Sequence, residues 1–130
     1  MNRGHLLDAS ALLAVMFGEP GADKVRELLD DSRIHAVNLA ETVRKLVDYR
    51  APAEEAVSRI ATLNLEVVEE FTAEQAYEIG RLAPEAKRLG LSLGDCVCLI
   101  LAEWHGVTAV TADRDWRKVR GRKVKVLLIR

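Results

Sequence analysis

Short apolar runs alternate with longer, more polar stretches along the whole chain. Five runs are rich in apolar or β-branched residues and are bounded by turn or capping residues, which predicts five strands. The stretches between them place apolar residues at helical spacing, which predicts helices. The predicted strands are residues 5–7, 33–37, 65–68, 107–111 and 124–129. Strands separated by helices indicate an α/β fold with a parallel sheet, right-handed crossovers and helices on both faces.

Capping residues set the limits of the predicted helices. Asn38, Thr72 and Ser92 are suited to cap the start of a helix, and Gly18 and Gly106 are suited to end one. The predicted helices are residues 9–17, 20–31, 39–50, 52–63, 73–90 and 93–105, the fifth of them broken at Pro84.

Length and composition indicate a globular protein. With 130 residues, the chain is expected to form one domain over residues 1–130. Its content of 49% hydrophobic and 30% charged residues is ordinary for such a domain. The apolar run at residues 96–102 is far short of the roughly 20 residues that span a membrane. Residues 6–17 contain Asp8 and lack the cleavage site of a signal peptide. We therefore expect a cytoplasmic protein with no membrane contact.

Four acidic residues lie where a predicted strand ends or a predicted helix begins. They are Asp8, Glu41, Asp95 and Asp113. The carboxyl ends of parallel strands meet along one edge of the sheet, where α/β proteins bind ligands. Carboxylates gathered there would repel one another strongly unless a divalent cation neutralised them. The pattern therefore predicts a metal site and a small metal-dependent enzyme.

Helix capping is a structural alternative for three of these acids. Asp8 directly precedes a predicted helix, where it could be the N-cap. Glu41 follows Asn38 by three residues, which is the spacing of a capping box. Asp95 follows Ser92 at the same spacing. Caps account for individual helix starts, but they do not explain why four acids occur near one edge of the same sheet.

Neighbouring polar residues could support such a site. Ser10 could cap the helix or hydrogen-bond a metal-bound water, and the sequence does not separate these roles. Thr111 ends the fourth predicted strand, where its hydroxyl could orient a water or a carboxylate, or serve only the strand. Asp113 and Asp115 both follow this strand, and either could be the fourth acid. Asp113 is favoured because it lies nearer the strand end.

The net charge of −1 is unevenly distributed, because residues 114–130 carry +7 and residues 1–113 carry −8. A concentrated basic segment suits a polyanionic partner. The alternative is a solvated turn and edge strand whose basic residues discourage aggregation. Both interpretations stay open from the sequence alone.

Four motifs occur in order along the chain: LDASAL followed by GEP at residues 7–20, NLAE at 38–41, LSLGDC at 91–96 and TADRDW at 111–116. In these motifs and their spacing, the chain resembles the PIN-domain ribonucleases, and closely the VapC-type toxins of toxin–antitoxin pairs. Each motif is weakly specific by itself. Their order and spacing in a chain of this length make the resemblance specific.

The resemblance implies a PIN-like three-layer fold with a five-stranded parallel sheet in the order 3-2-1-4-5. It implies Mg²⁺ or Mn²⁺ bound by Asp8, Glu41, Asp95 and Asp113, and hydrolysis of RNA phosphodiester bonds by a metal-activated water. Homodimers and a VapB-type antitoxin that blocks the site are also implied. Ser10, Asn38, Thr111 and Asp115 are then candidate supporting residues. With RNA as substrate, the basic segment offers Arg114, Arg117, Lys118 and Arg120 as candidate RNA contacts.

Two other classes compete with a metal-dependent nuclease. A receiver-like signalling domain also has an acidic Mg²⁺ pocket, but it needs paired acids after the first strand, and here Ala9 follows Asp8. It also needs a lysine after the fifth strand, where the chain has Arg130. A non-catalytic nucleic-acid-binding module of PIN-like fold remains open, because metal ligands do not guarantee turnover.

Overall fold

Five parallel strands form one sheet in the order β3-β2-β1-β4-β5 in the computed structural model, which describes residues 3–130. Leu7 on the central strand pairs with Ile34 on one side and Val110 on the other. The predicted α/β class and strand order are confirmed. Since receiver domains have the order 2-1-3-4-5, the receiver-like alternative is wrong. The strands are β1 His5–Leu7, β2 Ser32–His35, β3 Glu66–Val68, β4 Thr108–Thr111 and β5 Lys125–Leu128.

Seven α-helices connect and cover the strands within residues 3–130: α1 Ala9–Phe17, α2 Ala22–Leu28, α3 Ala36–Asp48, α4 Ala53–Ala61, α5 Ala73–Arg81, α6 Ala83–Leu89 and α7 Leu93–His105. The predicted helix at 20–31 is α2 followed by a 3-10 turn at Leu29–Asp31, and the predicted helix at 73–90 is two helices that meet at Leu82. A second 3-10 turn spans Arg114–Lys118. No helix within residues 3–130 combines the length and the apolar composition needed to cross a membrane.

The start of α3 differs from the prediction in a way that changes the role of a site residue. Strand β2 ends at His35, and His35 caps α3 because its Nδ1 accepts a hydrogen bond from the N–H of Val37 at 3.1 Å. The ring is held in place because its Nε2 lies 3.1 Å from the carbonyl oxygen of Glu70. Asn38 therefore lies inside the helix and does not cap it. The capping-box interpretation of Asn38 and Glu41 is wrong.

The two faces of the sheet build two apolar cores. Because strand side chains alternate between faces, Leu6 packs with α7 on one side, whereas Leu7 and Val110 pack with α1 on the other. Both α1 and α7 are therefore deeply buried helices. Both helices begin at the carboxyl edge of the sheet, where the negative charge of Asp95 raises the pKa of Asp8.

Candidate metal site at the carboxyl edge of the sheet

Asp8 follows β1 directly and is the N-cap of α1. Its Oδ1 accepts hydrogen bonds from the N–H of Ala11 at 3.0 Å and from the hydroxyl of Ser10 at 2.7 Å. Its Oδ2 accepts a hydrogen bond from the hydroxyl of Thr111 at 2.9 Å. Capping accounts for only the first of these bonds. The two hydroxyls hold the carboxylate in one orientation, so the structure joins Ser10 and Thr111 to Asp8.

Burial opposes the ionised form of Asp8. The side chain is only 4% exposed, and burial raises its pKa to about 6. Hydrogen bonds from Ser10, Ala11 and Thr111 lower this pKa, and the negative charge of Asp95 raises it further. A carboxylate held against such a desolvation cost is stabilised when a cation lies beside it. The sequence pattern predicted that repulsion between carboxylates would make Asp8 costly to ionise. In the structure, burial has the larger effect.

Glu41 lies over the first turn of α7, against Gly94. A Cβ atom at Gly94 would stand 2.0 Å from Glu41 Oε1, so any larger residue would displace this carboxylate. Asn38 links the same two helices, because its Nδ2 donates to the carbonyl oxygen of Gly94 at 3.0 Å and to Glu41 Oε1 at 3.4 Å. The sequence offered no signal for the contact between Gly94 and Glu41, because it joins helices that are distant along the chain.

The orphaned oxygen of Asn38 lies in this contact. Asn38 is 1% exposed, and its Oδ1 has no hydrogen-bond partner within residues 3–130. A buried oxygen without a hydrogen-bond partner is costly. Asn38 Oδ1 is therefore available to accept a hydrogen bond or to contact a cation. Burial raises the pKa of Glu41, Lys45 lowers it, and Asp95 raises it again.

Asp95 caps its own helix and also faces the other acids. It forms the predicted capping box, in which Ser92 Oγ accepts from the N–H of Asp95 at 3.1 Å and Asp95 Oδ2 accepts from the N–H of Ser92 at 2.9 Å. Burial raises the pKa of Asp95, the bonds from Ser92 lower it, and the charge of Asp113 raises it. The cap uses Oδ2, so a second carboxylate oxygen is left for another role.

The structure separates Asp113 from Asp115. Asp113 caps the 3-10 turn after β4, where its Oδ1 accepts from the N–H of Asp115 at 2.9 Å, and its own N–H donates to Thr111 Oγ1 at 3.1 Å. Its charge acts on Asp95. Asp115 instead forms an ion pair with Lys118 at 2.9 Å. Of the two acids in this turn, Asp113 is therefore the one whose charge raises the pKa of Asp95.

Asp95 is the centre of the acidic group, because its charge acts on both Asp8 and Glu41 while Asp113 acts on it. Within residues 3–130, no group of three or more His, Cys, Asp or Glu side chains is placed to hold a metal ion together. Mg²⁺ commonly uses only one or two carboxylates and keeps several waters. The all-oxygen donor set and the costly ionisation of Asp8 fit such an open site.

The basic segment is anchored to α5, α6 and the end of α7, and most of its basic side chains are solvent-exposed. Arg122 is held by Glu78 at 3.0 Å and by Glu103 at 2.9 Å. Arg88 donates to the carbonyl oxygen of Lys118 at 2.7 Å, which fixes the end of the 3-10 turn. The candidate RNA contacts Arg114, Arg117, Lys118 and Arg120 are at least partly exposed.

Comparisons with known proteins agree with this architecture. A chain of DNA-bound VapBC from Salmonella typhimurium superposes with a TM-score of 0.73 at 18% identity, covering 98% of this chain and 99% of that chain. A toxin–antitoxin complex from Klebsiella pneumoniae gives 0.68 at 19% identity, covering 97% and 98%. A Pyrobaculum aerophilum protein gives 0.64 at 23% identity, covering 95% and 90%.

At these identities the structural similarity shows the fold. No curated protein sequence matches the chain. The PIN-domain family model matches residues 5–122, which is most of the sequence. The chain therefore belongs to the PIN-domain family.

Proposed function

We propose that the protein is a Mg²⁺- or Mn²⁺-dependent endoribonuclease and the toxin of a VapBC-type toxin–antitoxin pair. The observation that carries this proposal is the buried carboxylate of Asp8, held at the carboxyl edge of the sheet beside Asp95 in a chain of the PIN-domain family. Structures with the same fold come from VapBC complexes, which supports the toxin role.

In this proposal the cation is held by four acids, directly or through its bound waters: Asp8, Glu41, Asp95 and Asp113. When bound, Mg²⁺ or Mn²⁺ would neutralise these carboxylates and activate water for attack on the RNA phosphodiester. Ser10 and Thr111 keep the Asp8 carboxylate aimed at the site, since each donates a hydrogen bond to one of its oxygens. Asn38 keeps Glu41 against α7.

The proposal includes a cytoplasmic, single-domain protein over residues 1–130 that acts as a homodimer. Its partner would be a VapB-type antitoxin that blocks the acidic site. The structural relatives from Salmonella typhimurium and Klebsiella pneumoniae are described as a VapBC and a toxin–antitoxin complex, respectively.

Cleavage of RNA under controlled metal conditions tests the proposed activity. The purified protein is incubated with single-stranded RNA in Mg²⁺, in Mn²⁺ and in excess chelator, and the products are separated by length. We expect internal cleavage with either metal and none in chelator. RNA that is bound but never cut would favour the non-catalytic module, and cutting in chelator would exclude the metal-dependent reaction.

Gly94→Ala is expected to lower cleavage by at least about tenfold, the scale seen when residues that orient metal ligands are changed. The added methyl group would overlap Glu41 Oε1 and move this carboxylate away from Asp95. The displaced atom ends a flexible side chain, so the fold should tolerate the change. Cleavage rates and thermal melts of both proteins measure the two effects.

Gly80→Ala is the matched control for this variant. Gly80 lies in α5, and a Cβ there meets no atom within 4 Å. Both alanines favour the helical state by up to about 1 kcal/mol. Equal activity of the two variants would show that the position of Glu41 does not matter for cleavage.

Removal of basic side chains after β4 should weaken RNA binding and flatten its salt dependence. Arg117→Ser and Arg120→Ser each remove an exposed charge from the segment that follows Asp113 in sequence. Each phosphate that is no longer contacted should reduce the slope of log affinity against log salt by about 0.7 for a single strand. Lys87→Ser, which removes an exposed charge on α6, is the control. If both arginine variants keep the slope of the Lys87→Ser protein, the segment does not bind phosphates.

A further inference from the structure

A cleft of about 320 Å³ lies between α1 and α3, beside the acidic site. Its α1 wall consists of Ser10, Leu13 and Phe17, which recur along one face of that helix. Its opposite wall consists of Lys45 and Asp48 on α3 and of Tyr49, the C-cap of α3. Glu19 closes the end beyond α1.

One end of the cleft opens at the candidate metal site. Ser10 lines the cleft and donates a hydrogen bond to Asp8 Oδ1 at 2.7 Å. Lys45 stands one helical turn after Glu41, and its positive charge acts on both Glu41 and Asp95. A phosphate that enters the cleft from the acidic site would therefore meet a cation at this end. The i,i+4 spacing of Glu41 and Lys45 is the sequence signal for this neighbour.

The other end of the cleft presents two exposed aromatic rings. Phe17 and Tyr49 pack edge to face, with ring centroids 5.3 Å apart and an interplanar angle of 69°. They are 43% and 74% exposed, respectively. Large aromatic rings at the surface provide stacking platforms for nucleobases, since every base has a flat π-face. Packing on Phe17 supports the Tyr49 ring, which reduces the cost of ordering it in a complex.

The carboxylate of Asp48 decides which part of a nucleotide fits at the aromatic end. Asp48 lines the cleft near the rings, where it would repel a phosphate, whereas Glu19 is paired with Arg130 at 3.9 Å. Asp48 would instead accept a hydrogen bond from the amino group of a base, as acidic side chains do from cytosine. The cleft therefore suits a nucleotide with its phosphate near Lys45 and its base near Tyr49.

We propose that this cleft binds an unpaired nucleotide of the RNA strand next to the bond that is cut. Its base stacks on Tyr49, its phosphate contacts Lys45, and Asp48 favours a base that carries an amino group over uracil. Tyr49 lies eight residues after Glu41, about 12 Å along the helix, so the base sits beside the scissile phosphate and not at it. This inference rests on the proposed ribonuclease function.

Binding without cleavage tests the subsite separately from catalysis. The Asp95→Asn protein is titrated with a short single-stranded RNA that contains 2-aminopurine, whose fluorescence falls when it stacks on an aromatic ring. In this background, Tyr49→Ala should weaken RNA binding about tenfold and reduce the quenching of 2-aminopurine fluorescence. Tyr49→Phe should restore both the affinity and the quenching. Tyr77→Ala is the matched control, because Tyr77 is 66% exposed on α5 and lies outside the cleft.

Cleavage by the otherwise intact protein gives the second readout. Tyr49→Ala should raise KM about tenfold with little change in kcat, since the ring binds a part of the substrate that does not react. Asp48→Asn should reduce the preference for amino-bearing bases over uracil at the position beside the cut, read from sequenced products of a random RNA pool. A Tyr49→Ala protein that matches Tyr77→Ala in both assays would overturn the subsite.

The outcomes separate this inference from the function on which it rests. If the protein cuts RNA normally after Tyr49→Ala, the ribonuclease stands and the subsite fails. If no RNA is cut but binding still depends on Tyr49, the ribonuclease fails and the nucleotide subsite stands. If Tyr49→Ala loses only binding of a co-purified antitoxin, with RNA affinity unchanged, the cleft belongs to a peptide and the proposal is wrong.

Discussion

Asp95→Asn is expected to abolish metal-dependent RNA cleavage while leaving the fold intact. Asp95 is the acid whose charge acts on both Asp8 and Glu41, so it lies at the centre of the proposed cation site. Residues that only orient metal ligands typically contribute 10–100-fold, so loss of a ligand charge should cost about a hundredfold or more. Asparagine keeps an oxygen that can accept from the N–H of Ser92, so the start of α7 should persist.

Two control variants separate the proposed metal role of Asp95 from its capping role. Ser92→Ala removes the other half of the capping box and should cost about 1 kcal/mol of stability with most activity retained. Asp23→Asn makes the same chemical change on a side chain that is 96% exposed, so it should leave activity unchanged and lower stability only slightly, through the loss of its ion pair with Arg26. Cleavage rates in Mg²⁺ and urea unfolding curves are measured for all three. If Ser92→Ala loses as much activity as Asp95→Asn, Asp95 acts through the helix and not through a cation.

The sequence pattern predicted helix bounds most accurately for buried helices that have capping residues at both ends. Helices α1 and α7 begin and end at the predicted residues, because Asp8 and Ser92 cap their starts and Gly18 and Gly106 take left-handed conformations at their ends. These signals are local in sequence, so they survive folding unchanged. The strand order, by contrast, came only from the family resemblance, since apolar runs do not reveal which strands pair.

Tertiary contacts determine the start of α3 and the role of Asn38, which the local sequence pattern did not predict. His35 replaces Asn38 as the cap of α3, because its ring is fixed by the carbonyl oxygen of Glu70 and by an edge-to-face contact with Phe71. Asn38 is instead buried inside the helix, where its side chain hydrogen-bonds both Glu41 and the backbone of α7. The sequence pattern predicted that the four acids lie at one edge of the sheet, but it did not indicate how deeply each side chain is buried. Their roles as cation ligands stay predictions.

Asp8→Asn is expected to change how the metal-free protein responds to pH. Burial raises the pKa of Asp8 from 3.8 to about 6 in the folded protein. A raised folded pKa gives a stability contribution that is full below the unfolded pKa, near pH 4, and is lost as pH rises through about 6. This rise in pKa corresponds to about 3 kcal/mol in full, and the wild-type protein should lose about 2 kcal/mol of it between pH 4 and pH 7, since the unfolded Asp8 is already more than half ionised at pH 4.

Asparagine cannot ionise, so the variant should lack this loss and be the more stable protein at pH 7 in chelator. Comparing the two proteins at each pH cancels the contributions of the other titrating groups. Mg²⁺ at a hundredfold excess over its dissociation constant should stabilise the wild type by about 2.7 kcal/mol and the variant by much less. Urea unfolding from pH 4 to pH 7.5, with chelator and with Mg²⁺, measures both effects. A stability difference that does not vary with pH would show that Asp8 ionises as an ordinary carboxyl group, and an equal gain from Mg²⁺ in both proteins would show that the cation binds elsewhere.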